Sequence, residues 1–124
     1  MAKLVVRGEE LVLHMPIRQK IASFHGDLGV PLTAVQSVRL LEKPWLELRG
    51  RRMAGIAFPG SISMGTRIHA DGYDFCVLRR VQPAIQVDLS TGRFSRWVVG
   101  VPDGADARAD VERVAAAARI APQI

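Results

Sequence analysis

The sequence predicts a mainly β single-domain fold. The expected form is a small curved antiparallel sheet, or partly open barrel, of about seven strands capped by one C-terminal amphipathic helix. Three observations predict it. From residue 61 to 101 the chain reads as short alternating strands separated by brief Gly-containing turns. After Pro102 the spacing becomes helical, with Ala107, Val111, Val114 and Ala118 on one stripe. The chain has 124 residues and 48% hydrophobic content, which suffices for one core without disulfides or metals.

The elements follow in order. Segments 3–6 and 10–15 flank the turn Arg7-Gly8-Glu9 and read as a β-hairpin. Pro16 stops strand pairing and suits a first helical position. Ile17, Ile21 and Phe24 fall at i, i+4 and i+7, so a short amphipathic helix is expected over 16–25, ended by Gly26. Leu28, Val30 and Leu32 alternate, and Val35, Val38, Leu40 and Leu41 form the apolar face of the next strand. Pro44 ends that strand, and 45–48 fits one helical turn.

The stretch 48–61, "LRGRRMAGIAFPGS", is expected to be the one long loop, because Gly50, Gly55, Pro59 and Gly60 punctuate it. Ile56 and Phe58 would fold back onto the barrel, Phe58 as a lid over its open end. Strands are then expected at 61–70, 72–80, 83–90 and 93–101, with turns at Ala70-Asp71-Gly72 and Ser90-Thr91-Gly92. In the last helix Asp106 and Asp110 come early and Arg113 and Arg119 late, as the helix dipole favours. Residues 1–120 form the domain, and 121–124 are expected to fray.

The order of these elements resembles the small bacterial proteins with a pleckstrin-homology-like (PH-like) domain. The likeness rests on "VPLTAVQSV", the strand holding Phe75, "PAIQVDL" followed by "RFSRWVVGVPD", and the helix directly after Pro102-Asp103. It spans nearly the whole chain. It implies a bent sheet of seven or so strands closed by one helix, used as a scaffold that binds lipids, peptides or proteins. A fold of that kind does not fix a function.

Composition narrows the function classes. The lone Cys76 has no partner for an intramolecular disulfide, which fits a reducing cytoplasm, and inside "YDFCVL" it reads as a small buried hydrophobe. Charges at Lys3, Arg7, Glu9 and Glu10 break up any signal-peptide stretch, and no run approaches a membrane span. A cytoplasmic protein, with a peripheral membrane location as a variant, is the expectation. His14, His25 and His69 lack metal-ligand spacing, so neither a metal nor another cofactor is expected. His25-Gly26-Asp27 reads as a helix end with its turn. No Gly-x-Ser-x-Gly elbow or phosphate loop occurs, and Asp71 and Asp74 resemble a hairpin tip more than a catalytic pair. The chain is not expected to be an enzyme.

Charge is the remaining signal. Residues 49–96 hold eight Arg against three Asp, a balance equal to the whole chain's +5. Arginine outnumbers lysine 14 to three, which reflects anion contact or a GC-rich codon bias. Trp45, Arg49, Arg51, Arg52, Phe58 and Arg67 form the candidate surface for a partner or anion. The competing reading is a solvated loop with Trp45 packed beneath it. Nucleic acid is disfavoured, because the stretch lacks a stacking series of aromatics and no helix is basic along one face. The expected function is a non-enzymatic binding or scaffold domain that presents this basic loop surface to a protein partner or an anionic ligand. The alternatives are anionic-membrane binding and an apolar ligand inside the barrel; a homo-oligomer through a free strand edge stays open.

Overall fold

Two sheets carry the fold in the computed structural model, which describes residues 2–23, 25–58, 60–80 and 82–124. The smaller sheet has three antiparallel strands in the order β1-β2-β3, formed by β1 (Lys3–Arg7), β2 (Glu10–His14) and β3 (Leu28–Pro31). The larger has six strands: β4 (Val35–Leu41), β5 (Arg51–Phe58), β6 (Ile62–His69), β7 (Gly72–Arg79), β8 (Ala84–Leu89) and β9 (Arg96–Gly100). Their order in space is β4-β8-β9-β7-β6-β5; β7–β9 is parallel and the other ladders of this sheet are antiparallel. The sheets do not close on themselves. The mainly β class, the short early helix and the C-terminal helix are as the sequence predicts.

One face of the large sheet packs against the small sheet and the last helix, α2 (Gly104–Ala118). Leu4, Leu11 and Leu13 from the small sheet share one buried cluster with Phe75, Val77, Ile85, Val87 and Trp97. The predicted stripe of α2 adds Ala107, Val111 and Val114, all fully buried. Asp103 caps α2 by accepting the Ala105 N–H at 2.7 Å, and Arg119 ends it in the left-handed region at φ 60. The opposite face of the large sheet holds a smaller cluster of Leu41, Cys76, Leu78, Ala84 and Val98, covered by Trp45 and Leu48.

Two local expectations are corrected. The stretch 48–61 is not an irregular loop: residues 51–58 form β5, paired with β6 from Arg51↔Ile68 to Phe58↔Ile62. Its glycines permit close strand approach there and do not break the strand. Gly55 lies directly opposite Gly65, and a Cβ on either would collide with a main-chain oxygen of the other strand. Pro59, counted among the breakers, lies outside the described residues.

The early helix, α1 (Ile17–Ser23), turns the unexpected face inward. Ile17 and Ile21 are 68% and 66% exposed, while Gln19 and Ser23 are buried. Phe24, the third residue of the expected stripe, lies outside the described residues. Anchors at both ends of the excursion fix the helix phase. Asp27 accepts the Met15 N–H at 2.9 Å and meets His14 Nδ1 at 2.8 Å. The Met15 bond leads in holding the Asp27 carboxyl below its ordinary pKa, with His14 and Lys20 adding to it against burial.

At Gln123 the chain meets the β4 edge. Gln123 forms a parallel bridge to Arg39, donating its N–H to the Val38 carbonyl and accepting the Leu40 N–H. That satisfies part of the β4 edge.

Candidate binding surface on the outer face of the large sheet

Strand register lines up a row of polar side chains across all six strands. Ser37, Asp88, Arg96, Asp74, Arg67 and Arg52 are successive cross-strand partners from β4 to β5. Direct partners share a sheet face, so these groups project together. Each carboxylate is matched. Asp88 accepts Ser37 Oγ–H at 2.6 Å, Arg96 Nε–H at 2.7 Å and Gln86 Nε2–H at 3.0 Å. Burial works to raise the Asp88 pKa, but the Ser37 and Arg96 hydrogen bonds outweigh it and hold the carboxyl below its ordinary value.

Asp74 is almost fully buried and is held by Arg49 in a two-pronged pair, Nε to Oδ2 at 2.7 Å and Nη2 to Oδ1 at 2.6 Å. That hydrogen bonding raises the Arg49 pKa above its ordinary value. His69 Nε2 lies 3.0 Å from Asp74 Oδ1, and His69 Nδ1 accepts the Asp71 N–H at 3.1 Å. The second contact places the ring proton on Nε2, so His69 donates to Asp74 and both ring nitrogens are occupied.

Neither Arg67 nor Arg52 forms an ion pair among the described residues. Arg67 donates Nε–H to the Arg49 carbonyl at 3.0 Å and Nη2–H to the Gly50 carbonyl at 2.7 Å. Among the described residues Arg52 reaches only the Gly55 carbonyl, at 3.2 Å. Beside them runs a groove of about 240 Å³. Trp45, Leu48, Ala57, Phe58, Ile62, Ser63 and Arg67 line it. Its wall is fixed by Trp45, whose indole N–H donates to the Arg80 carbonyl at 2.7 Å. Ser63 meets the buried thiol of Cys76 at 3.2 Å. Burial pushes the Cys76 thiol pKa up.

The six residues singled out from sequence thus take different positions. Trp45, Phe58 and Arg67 meet at the groove. Arg51 and Arg52 are exposed on β5, the strand at the sheet edge. Arg49 is tied into the Asp74 pair and does not face outward as a free cation. Sequence reasoning missed Leu48, Ile62 and Ser63 as lining residues. The available signal was a ladder between 51–58 and 62–69, which a loop reading of 48–61 hides. No protein-family model, curated protein or solved structure matches the chain.

Proposed function

We propose that this protein is a non-enzymatic binding domain that takes an acidic segment of a protein partner on the outer face of β5 and β6. The observation that carries this reading is Arg52 standing directly opposite Arg67, neither of them ion-paired among the described residues. Like charges on direct cross-strand partners destabilise a sheet. At a separation of about 5 Å in water-like surroundings the repulsion is roughly 1 kcal/mol. An anion between the guanidinium groups reverses its sign. Residues 48–70 contain four Arg and neither Asp nor Glu, and Asp74, the carboxylate opposite Arg67 on β7, is taken up by Arg49 and His69.

The neighbouring groove suits an apolar side chain of the same segment, between Trp45 and Phe58. Binding, as opposed to catalysis, is supported by the engagement of both His69 nitrogens and by the burial of Cys76. A PH-like scaffold would present comparable surfaces to proteins or lipids, but the reading rests on the arginine pair and the groove. Exposed Met53 and Phe58 beside Arg51 and Arg52 also suit an anionic membrane surface, which is the second reading.

A peptide array with varied Asp, Glu and apolar content tests the proposal. Retained peptides are expected to pair an acidic residue with an apolar neighbour, and Arg51→Glu plus Arg52→Glu is expected to abolish retention. Retention indifferent to peptide charge would sink the idea. Co-sedimentation with phosphatidylserine vesicles, without any peptide preference, would move the assignment to the membrane reading.

A further inference from the structure

β5 is the last strand of the large sheet. Among the described residues, no main-chain hydrogen bond joins 51–57 to any segment besides β6, so the far edge of the strand is open. Contacts within the hairpin fix which groups face that edge. The Ala54 carbonyl oxygen is turned to β6, where it stands against Gly65, and the Met64 carbonyl oxygen is turned to β5 against Gly55. Ala54↔Thr66 and Ile56↔Met64 are therefore the hydrogen-bonded pairs. Gly55 and Ala57 alternate with them and turn their N–H and C=O groups away from β6. A side chain agrees: Arg52 Nη1–H reaches the Gly55 carbonyl at 3.2 Å, which places the Arg52 guanidinium at the edge. A row of outward main-chain groups is a template for a further strand.

The two faces beside this edge differ. Arg52, Gly55 and Ala57 share the outer face with Arg67, whose guanidinium crosses to the carbonyls of Arg49 and Gly50 just ahead of β5. On the inner face Ile56, opposite the core residue Met64, remains 36% exposed.

We infer that the acidic partner segment binds as an added β-strand on the open edge of β5, with acidic and apolar side chains alternating along it. This mode of binding rests on the acidic-partner reading and adds the segment's conformation and sequence pattern. Charge selects the occupant. Residues 48–70 hold four Arg and no acid, so the same edge of a second copy would bring only further cations. An N–H of the incoming strand takes the Gly55 carbonyl and releases Arg52 to a carboxylate. Acidic side chains on the outer face lie beside Arg52, with no side chain on Gly55 or Gly65 between them and Arg67. Apolar side chains on the inner face cover Ile56.

Fluorescence anisotropy on the whole chain tests it with labelled peptides. The parent is Val-Glu-Val-Glu-Val amide with a fluorophore at its N-terminus. One derivative is N-methylated at both Glu residues, the other at the second and third Val. An added strand uses the N–H groups of alternate residues only. One derivative is therefore expected to bind about 25-fold more weakly, about fivefold for each blocked N–H, and the other within about twofold of the parent. Sensitivity at Glu marks an antiparallel strand, because those side chains then share a face with Gly55; sensitivity at Val marks a parallel one. Val-Lys-Val-Lys-Val amide is expected to bind at least about tenfold more weakly than the parent. Ala57→Pro removes an outward N–H at a place where an edge strand tolerates proline, so the fold should survive and parent binding fall about fivefold or more. Charge-dependent binding that is equal for the parent and both methylated derivatives overturns strand addition and leaves the acidic-partner reading standing. Equal loss in both derivatives does the same. No saturable binding, or equal binding of the lysine peptide, overturns both. A concentration-dependent dimer that persists at saturating peptide, seen by size-exclusion chromatography, assigns the edge to a second copy and overturns the inference.

Discussion

Replacing Gly65 by alanine tests whether β5 reaches β6 only because two glycines face each other. Gly65 has φ 131 and Gly55 has φ 103, both in the region that side chains rarely enter. A Cβ on Gly65 would collide with the Ala54 carbonyl oxygen and lie 3.0 Å from Gly55 Cα. These are main-chain atoms, so no rotamer change relieves the contact. The conformational strain is about 1–2 kcal/mol. Prising the strands apart at this point forfeits about two ladder hydrogen bonds, at roughly 1 kcal/mol each. The total of about 3–4 kcal/mol corresponds to a fall in Tm of roughly 10–20 °C for a domain of this size. Gly8 is the control: it has φ 62 and nothing within 4 Å of where a Cβ would stand, so alanine there costs about 1 kcal/mol. Urea unfolding followed by the fluorescence of buried Trp97 measures both variants. If Gly65→Ala lies within about 0.5 kcal/mol of Gly8→Ala, the close-approach argument for β5 is wrong.

Asp74→Asn removes the charge that holds Arg49. Breaking a buried ion pair costs about 3–5 kcal/mol, and since Arg49 is 33% exposed we expect roughly 2–3 kcal/mol, read as a lower urea midpoint. Asp88 and Asp27 have folded pKa values below the ordinary 3.8, so their contribution is present above that value and lost as pH falls through the folded pKa. The urea midpoint should therefore hold between neutral pH and about pH 5 and drop towards pH 3, with a smaller drop in Asp88→Asn; a midpoint that rises on acidification contradicts this. Deleting residues 121–124 removes two main-chain hydrogen bonds from β4 and should cost about 1–2 kcal/mol. It also bares the strand edge, so size-exclusion chromatography should show added self-association; an unchanged monomer peak and midpoint would count against an edge-covering role.

Periodicity made most elements legible. The stripe Ala107, Val111, Val114 is the buried face of α2, and the alternation of Ile85, Val87 and Leu89 is the inner face of β8. It failed where a local signal has two physical meanings. Glycine in 48–61 reads as a breaker until Gly65 is known to lie opposite Gly55, a relation between residues ten apart. Ile17 and Ile21 read as a buried stripe, but a two-turn helix buries too little to choose its own phase, and its tethers choose instead. The candidate surface was half visible. The basic excess drew attention to the segments that form β5 and β6, whereas the diversion of Arg49 to Asp74 depends on a cross-sheet contact that no spacing encodes.

The position of β9 governs how the chain can assemble. It is the last strand in sequence, yet β8 lies on one side of it and β7 on the other. Among the described residues no other ladder joins β4–β8 to β7–β6–β5. While residues 96–100 are still inside the ribosome, the large sheet exists at best as two fragments, each with a bare inner edge. The core-facing side chains Phe75 and Val87 sit on those fragments and stay without their Trp97 neighbour until residues 96–100 emerge. Completion of the sheet therefore waits for β9 and has a high entropic threshold, and the nascent chain is most open to mispairing just before it.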